Sequence, residues 1–572
     1  MNYTIATDVL IAGAGPTGLV LANLLGTHGI RVTIVEKRAD LIDYPRGVGL
    51  DDESYRTLQT MGLLDAVKPY TLPHHIMRVV NGRGEVILTN DPQGEPFGHP
   101  RKHGFLQPLV DRVMFEGLGR YPNVEVLFGR ELTSVTDTGD GIEAVVDHVT
   151  GEEGENPTGV STDITARFLV GCEGGRSFTR KHMGVDFEGV SPSTRWVVVD
   201  VRNDPLGFPG VYLGADPARP YVSIGLPHGV RRFEFMLFDD EPNEKVEDNI
   251  FVSHLLHEHL PENTELDIIR RRVFTHHGRV ASSFRLGNLL IAGDAAHLMP
   301  VWMGQGFNSG VRDATNLAWK LNAVLKGMAG DELLDTYTVE RRDHAKAMVD
   351  LSLTMGNIIK PTDSKVAFGR DAVARVLNLS PQVKDYFADM RFKPMPRYGR
   401  GVVVDQEMLT PGTARRKISG DRVPKLIPLR NALRKDSPVG SQFVQPWVDF
   451  KGENIRLDDA LGSGFAILSW GIDPARLIDE ETLATLESTD TVLVCAVSPN
   501  QLAWAEGEWA TVVSDTTGAL KKWFDQASVG SVCIRPDRFV AAACLNGDLP
   551  RAITAVRTAA SLFVPFSSPI PS

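Results

Sequence analysis

The chain has 572 residues, a net charge of −12 at pH 7, and 42% hydrophobic and 23% charged residues. It is too long for one hydrophobic core, so two or three domains are expected, with the composition of a globular protein. The acidic balance excludes a general nucleic-acid binder, which needs a basic excess to displace counterions. No apolar run is long and unbroken enough to span a membrane and no basic leader precedes the first strand, so a cytoplasmic protein is expected.

From residue 8, "DVLIAG" predicts a strand, followed by a glycine-rich turn, a helix in "TGLVLANLLGTHG" and a strand in "RVTIVEK", a βαβ opening. Residues 75–101 have the short alternating runs of a small antiparallel region. A helix, "QPLVDRVMFEGLGRY", leads to the strand "VEVLFG" and then to a polar hairpin over roughly 131–166. "RFLVGCEG" and "NLLIAGDA" predict buried parallel-type strands. Between them, "RWVVVDVRND", "GVYLGADPARPYVSIGLP" and "RRFEFMLF" alternate as an antiparallel sheet does. Helices are expected from about 308 to 360, and a linker or wrap-around segment over 361–450. A last α/β unit has strands in "GFAILSWG" and "TVLVCAVS" and a helix in "GALKKWFDQAS". It ends with a strand pair turning at Arg535-Pro536-Asp537 and a closing helix, "DLPRAITAVRTAASLF".

Four widely spaced cysteines, Cys172, Cys495, Cys533 and Cys544, form no CxxC pair, which argues for a reducing compartment without disulfides or a thiolate zinc site. The pairs His74/His75 and His276/His277 are expected at the surface or in loops, and no metal site is expected.

Three motifs carry chemistry. The first, "GAGPTG", covers Gly13, Gly15, Pro16, Thr17 and Gly18. Gly13 permits the tight turn, Gly15 lets a pyrophosphate approach the backbone, and Gly18 lets helix and strand pack closely. The helix start then offers N–H groups to phosphate. Glu36, followed by Lys37, ends the next strand, where an acid accepts from ribose hydroxyls. The second motif, "RFLVGCEGGRSFTR", is a buried strand ending in Glu173-Gly174, with Arg176 and Arg180 behind it. The third, "LLIAGDAAHLMPVWMGQGFNSG", brings Gly293 and Asp294 to a strand end. Gly304, Gly306 and Gly310 follow, and a helix beginning near Asn308 points its positive end at the same place. A helix cap is the competing reading of Asp294.

In this order the three motifs resemble the class A flavoprotein monooxygenases, the aromatic hydroxylases of the para-hydroxybenzoate hydroxylase type. "LIDYPRGVGLDDESYRTLQTMGL", "GDAAHLMPVWMGQGFNSGVRDATNLAWKL" and "LLDTYTVERRDHAKAM" look most like the bacterial 3-(3-hydroxyphenyl)propionate hydroxylases. The resemblance implies FAD, with the first motif holding its ADP half, the Gly-Asp motif its ribityl chain, and Arg46 and Gln107 contacting the flavin. Glu173-Gly174 stands where the family has Asp-Gly, which touches both FAD and the nicotinamide. The resemblance also implies that NADH or NADPH reduces the flavin, that O2 is captured as a C4a-hydroperoxide, and that oxygen goes ortho to the hydroxyl of a phenolic carboxylic acid. Another phenol or polyketide as substrate, or a non-oxygenase FAD reductase or binding protein, are the alternatives.

In that reading Gly304 and the helix behind it stabilise the charge of the reduced ring, while Pro300, Trp302, Met303 and Phe307 wall it from water, with Trp302 also a candidate substrate contact. Asp51, of the Asp51-Asp52 tandem, is the candidate acceptor for the phenol. Arg219, His228, Arg231 and Arg232 are candidates for the substrate carboxylate, since an arginine fork suits one. The implied fold is a Rossmann-like FAD domain (about 1–72, 102–190 and 275–365) with an inserted antiparallel substrate domain (73–101 and 191–274). A helical or linker segment (366–449) follows, then a thioredoxin-like domain (450–572). Lacking CxxC, that domain should serve packing or dimerisation, so a homodimer is compatible.

Overall fold

The computed structural model describes residues 4–192, 194–404, 437–506 and 511–562, so much of the expected 366–449 segment lies outside the described residues. The chain divides into two compact units. The first comprises residues 1–95, 99–318 and 341–394, and the second 96–98, 319–340 and 395–572.

The first unit is built on a six-stranded sheet. Its order is Arg285–Leu286, Leu289–Ile291, Phe168–Gly171, Val9–Ala12, Val32–Glu36, Val124–Phe128. The last five strands are parallel, with Val9 opposite both Phe168 and Val32. Val9–Ala12 and Phe168–Gly171 are buried at every position. That burial explains why they read as unbroken apolar runs rather than alternating ones. Parallel strands place their carboxyl ends on one edge, so residues 13–15, 36–37, 172–174 and 292–294 are gathered there.

A second sheet of seven strands has the order Ile268–Thr275, Arg195–Val201, Val230–Leu237, Tyr221–Leu226, Val211–Ala215, Met77–Asn81, Val86–Asn90. The 75–101 stretch is therefore not a separate small region. Its hairpin joins the large sheet through parallel pairing of Met77 with Val211. One face of this sheet, with Val197, Val199, Phe233 and Phe235, is covered by Asn249–His257 through Val252, Leu255 and Leu256. The other carries Trp196, Leu213, Val222, Ile224 and Met236 and packs on Trp302, Met303, Met355 and Ile359. The polar hairpin expected near 131–166 is three strands, Arg130–Asp137, Ile142–Thr150 and Asn156–Ala166, completed by Thr4–Ala6. The helical run expected over 308–360 is two helices, Gly306–Leu325 and Glu332–Ile359, broken around Gly327 and Gly330. Part of the expected linker is helical, as Ser364–Leu377 and Pro381–Ala388.

The second unit has a seven-stranded sheet in which Ala466–Trp470, Val492–Val497 and Val512–Ser514 are parallel and Ser531–Ile534/Val540–Cys544 is an antiparallel hairpin. Cys495, Cys533 and Cys544 are free and buried, and burial pushes the Cys495 and Cys544 thiols up to about 12, which leaves no reactive thiolate. Residues 319–340 belong here because Lys320 and Glu340 enter a fully buried ion network with Arg535 and Asp537. No helix among the described residues is long and apolar enough to cross a membrane.

Candidate functional site

The carboxyl edge of the parallel sheet is shaped by glycines. Gly13 has φ 106°, and a Cβ there would lie 2.5 Å from the Cys172 carbonyl. A Cβ on Gly18 would lie 2.2 Å from the Gly13 carbonyl, so only glycine lets the Pro16–Thr27 helix sit this close. In front of Gly15 there is open space, as the approach of a pyrophosphate requires. Pro16 starts the helix without needing an N–H partner, and no side chain caps it, which leaves first-turn N–H groups for an anion. Glu36 accepts from the amides of Ala14 (2.9 Å) and Arg38 (3.0 Å), so it braces the glycine turn as well as facing the edge. Lys37 is exposed, 3.9 Å from Glu131.

Asp294 follows the Leu289–Ile291 strand in a short turn, Gly293–Ala295. It caps no helix, which removes the competing reading, and its carboxylate has no hydrogen-bond or ion-pair partner among the described residues. It is exposed to solvent, yet the chain around it still desolvates the carboxyl in part. Burial therefore raises its pKa, with Arg46 and His297 pulling the other way. The turn is held from behind by Asp313, which accepts from Gly293 N (3.0 Å), His297 Nε2 (2.6 Å) and Arg341 Nε (2.8 Å). These three residues were missed as site residues. Nothing local marks them, because His297 lies in a short strand, Asp313 follows Arg312 in a helix, and Arg341 stands in a run of charged residues.

Thr17 and Gly310 have roles other than those expected. The Thr17 side chain packs between Gly293 and Gly310, where Cβ atoms would lie 2.4 and 2.3 Å from its Oγ1. Gly310 is therefore small to admit Thr17, not to approach a ligand. Gly304 (φ 60°) and Gly174 (φ 79°) face open space, and Gly306 has only Met299 nearby at 3.8 Å. Asn308 is saturated. Its Oδ1 accepts from Asp51 N and Ser54 Oγ, and its Nδ2 donates to the Gly49 (3.0 Å) and Gly304 (2.8 Å) carbonyls. Asn308 thus fixes the Gly304 peptide instead of presenting its amide to a cofactor.

Gln107 acts similarly. Its Oε1 accepts from Arg46 N (2.9 Å) and Gly47 N (2.6 Å), pinning the backbone beside the cleft while the Arg46 side chain stays exposed. Phe307 lies edge-on to Phe105 at 4.9 Å, beside Gly47. Glu173, one methylene longer than the family's Asp, turns back into its own loop. Its oxygens accept from Ser177 Oγ (2.6 Å), Thr179 N (2.9 Å) and Thr179 Oγ1 (2.5 Å), bracing the start of the Phe178–Met183 helix. Arg180 ties that loop to the Asp294 turn through the Ala295 carbonyl at 3.0 Å, and Arg176 is exposed. Pro300 is buried, and Trp302, 2% exposed, is wedged against Trp196 (4.9 Å) and His276 (5.2 Å). Trp302 is thus core, not a ligand surface. His276 and His75 are buried too, contrary to expectation, whereas His74 is exposed and His277 half-buried.

Asp51 is also reassigned. It caps the Asp52–Thr60 helix through Ser54 N, and its second oxygen binds Arg312 and Lys393 (3.0 Å). Burial alone would raise its pKa, yet Arg312 and Lys393 hold the carboxyl well below the usual range, so it cannot take a substrate proton. Asp51, Asp52 and Glu53 are the one carboxylate group at metal-ligand spacing among the described residues, and Arg312 and Lys393 already supply its cations. Two cations against three acids leave Asp52 the odd one. Burial and the charges of Asp51 and Glu53 push it up to about 7, and its Oδ2 has no partner. An acid protonated in the native state and ionised in the unfolded one makes stability fall as pH rises from about 4 to about 7. Asp52→Asn should abolish that decline, gaining on the order of 4 kcal/mol over wild type at pH 8 and nothing at pH 4, as urea titrations at the two pH values would show. Parallel pH curves for both proteins would refute this.

The arginines expected to bind a substrate carboxylate are spent. Arg219 forms a two-pronged pair with Glu241 (2.8 Å each). Arg231, fully buried on the far face, pairs with Asp204 and Ser223. Arg232 pairs with Asp200 (2.8 and 3.0 Å) and reaches the Pro45 carbonyl at 2.7 Å. His228 sits exposed in a turn at φ 57°, 5.8 Å from the Tyr70 ring.

A glycine-cradled parallel sheet with a free acid at its carboxyl edge, coupled to a large antiparallel sheet, defines a flavin-dependent hydroxylase. Residues 6–352 match the FAD binding domain family and residues 440–559 the HcaD C-terminal domain. The open glycines and the unpartnered Asp294 fit FAD. Among curated proteins, the chain is 46% identical over 97% of its length to the 3-(3-hydroxy-phenyl)propionate/3-hydroxycinnamic acid hydroxylase of Mycolicibacterium smegmatis, covering 94% of that protein. The same-named Escherichia coli enzyme is 44% identical over 99% of this chain and 96% of its own. The chain belongs to this family of FAD-dependent aromatic hydroxylases. Its fold matches the flavin-dependent monooxygenase PieE (TM-score 0.79, 20% identity, 97% of this chain, 99% of the other). It also matches aklavinone-11 hydroxylase (TM-score 0.73, 23% identity, 97% and 99%).

Proposed function

We propose that the protein converts 3-(3-hydroxyphenyl)propionate to its 2,3-dihydroxyphenyl product, using O2 and NADH or NADPH in the cytoplasm. The observation that supports this most is 46% identity over nearly the whole length to enzymes of that name. In this reading Gly13, Gly15, Pro16 and Gly18 hold the pyrophosphate at the helix start, Glu36 the ribose, and Asp294 the ribityl chain. The peptides of Gly304 and Gly306, fixed by Asn308, face the flavin ring, and Gln107 sets the Arg46–Gly47 backbone on the other side. Bound FAD would supply transfer of an oxygen atom from O2 to the ring at the expense of the nicotinamide. The chain's part is to orient, to keep water out with Pro300, Met303 and Phe307, and to handle the phenol proton.

One observation favours a second reading. Because Arg219, Arg231 and Arg232 are each matched by an acid, a phenol without a carboxylate suits the sheet as well. Protein loaded with FAD should oxidise NADH or NADPH faster when 3-(3-hydroxyphenyl)propionate is added and release the catechol, identified by mass spectrometry. Turnover of 3-methylphenol alone would favour the second reading. Stimulated oxidation yielding only hydrogen peroxide would defeat both. A homodimer is part of the proposal, supported by the exposed Val366, Val373 and Val376 on one helix, and the mass from light scattering tests it.

A further inference from the structure

With Asp51 committed to Arg312 and Lys393, the phenol proton needs another acceptor, and the large antiparallel sheet holds one. Glu234 lies in the Val230–Leu237 strand directly opposite Val222 on one side and Val198 on the other, and Val222 lies opposite Leu213. Directly opposed residues share a face. Glu234 is therefore on the face with Leu213, Val222 and Met236, which packs on Trp302, Met303 and the half-buried Val48 and Leu106. Two residues back on that face, Arg232 donates to the Pro45 carbonyl, which sets this part of the strand against the 45–48 segment. That segment meets the turn that carries Gly304, since a Cβ on Gly47 would lie 3.3 Å from Phe307 Cβ and Asn308 donates to the carbonyls of both Gly49 and Gly304.

Glu234 is 4% exposed, and its Oε2 is buried with no hydrogen-bond partner. The nearest charges cancel, since Arg232 is held by both oxygens of Asp200. Arg270 and Arg272, two strands away, gather with Arg46 around the Tyr44 ring, and the 301–303 turn brings only apolar side chains. Glu234 is thus an uncompensated acid. Burial pushes it up to about 7, with Arg232 opposing and Asp200 adding to the rise. A buried carboxylate lacking a donor is costly, and a substrate hydroxyl would supply the missing donor.

We propose that Glu234 is the catalytic base that takes the proton of the substrate's phenolic hydroxyl, an inference that rests on the ring-hydroxylation reading above. The O–H bond breaks, its electron pair stays on the phenolate oxygen, and the proton goes to Oε2. The ortho carbon then takes one oxygen atom of O2 while the other leaves as water, with the two electrons coming from the nicotinamide. The C–H proton departs to solvent as aromaticity returns, and Glu234 gives its proton back to the oxygen, leaving a neutral catechol.

The test compares wild type, Glu234→Gln and Glu234→Asp, all loaded with FAD, on 3-(3-hydroxyphenyl)propionate between pH 6 and 9. E234Q is expected to keep its flavin and its rate of flavin reduction by NADH but to lose about 100-fold in product kcat at pH 7, with little change in KM. The loss should shrink as pH rises, because solvent then supplies the phenolate, and E234D should recover part of the activity at pH 7. An unchanged kcat in E234Q, or a loss equal at every pH, would overturn the assignment. Failure of the wild type on this acid refutes the substrate reading alone. The same comparison on 3-methylphenol, if that is the phenol hydroxylated, then decides the role of Glu234.

Discussion

Asp294→Ala should give a folded protein that loses its flavin. The carboxylate touches nothing in the chain, so its removal deletes no internal contact. Burial already raises its pKa, which means that the ionised form costs the apoprotein stability above the carboxyl's unfolded pKa. The apoprotein should therefore be as stable as wild type, or slightly more so at neutral pH. Charged acceptors contribute roughly 1.5–3 kcal/mol per hydrogen bond. Loss of the bonds proposed to the ribityl hydroxyls should raise the FAD Kd by about 10- to 100-fold, since each factor of ten is about 1.4 kcal/mol. Flavin fluorescence on titration of the apoprotein gives the Kd, and thermal melts without FAD give the control. Asp294→Asn, which retains an acceptor but no charge, should fall between. Equal flavin occupancy in wild type and Asp294→Ala after gel filtration would remove Asp294 from the cofactor site.

The difference between Asp294 and Asp51 shows what the sequence can reveal. The place of Asp294 was legible because it follows from local facts: an apolar strand, one acid at its end, and glycines after it. Gly13, Gly18 and Glu36 were legible for the same reason, since a βαβ turn needs them within thirty residues of one another. Asp51 looked equally promising, but its partners Arg312 and Lys393 are 261 and 342 positions away. Nothing local marks them as partners. The arginines of the antiparallel sheet fail in the same way. Arg219, Arg231 and Arg232 are cations in the sequence, but Glu241, Asp204 and Asp200 neutralise them once the sheet forms. Availability of a charge belongs to the pair, and pairing depends on register. Glu234 is the converse case. It sits among apolar alternation and looks like an ordinary outward-facing acid until cross-strand pairing puts it on the inner face. Glu173 was legible as a departure in length, though its inward turn onto Ser177 and Thr179 required the helix start to be seen.

The largest loss of stability is expected from Arg312→Met. Arg312 binds Glu53 through two bonds (2.9 and 3.0 Å) as well as Asp51, and the three side chains are at most 5% exposed. Methionine fills much of the volume but leaves Asp51 and Glu53 facing each other with only Lys393 to balance them. Breaking a buried ionic group by removing one partner costs about 3–5 kcal/mol, because the remaining charge is neither solvated nor paired. The pH dependence identifies the cause. In wild type the depressed pKa of Asp51 contributes stability that is present above the unfolded value of 3.8 and is lost as pH falls towards the folded one. In Arg312→Met the stranded, buried carboxyls have pKa values raised by burial instead, so they cost the variant most at pH 7 to 8 and less as they protonate towards pH 4, and the gap between the two proteins should narrow over that range. Adding Glu53→Gln should recover part of the loss at pH 7, by removing one of the stranded charges. A gap of constant size from pH 4 to 8, unaffected by Glu53→Gln, would mean that packing rather than charge balance holds this cluster. The cluster would then have no electrostatic part in fixing Asn308 and the Gly304 peptide.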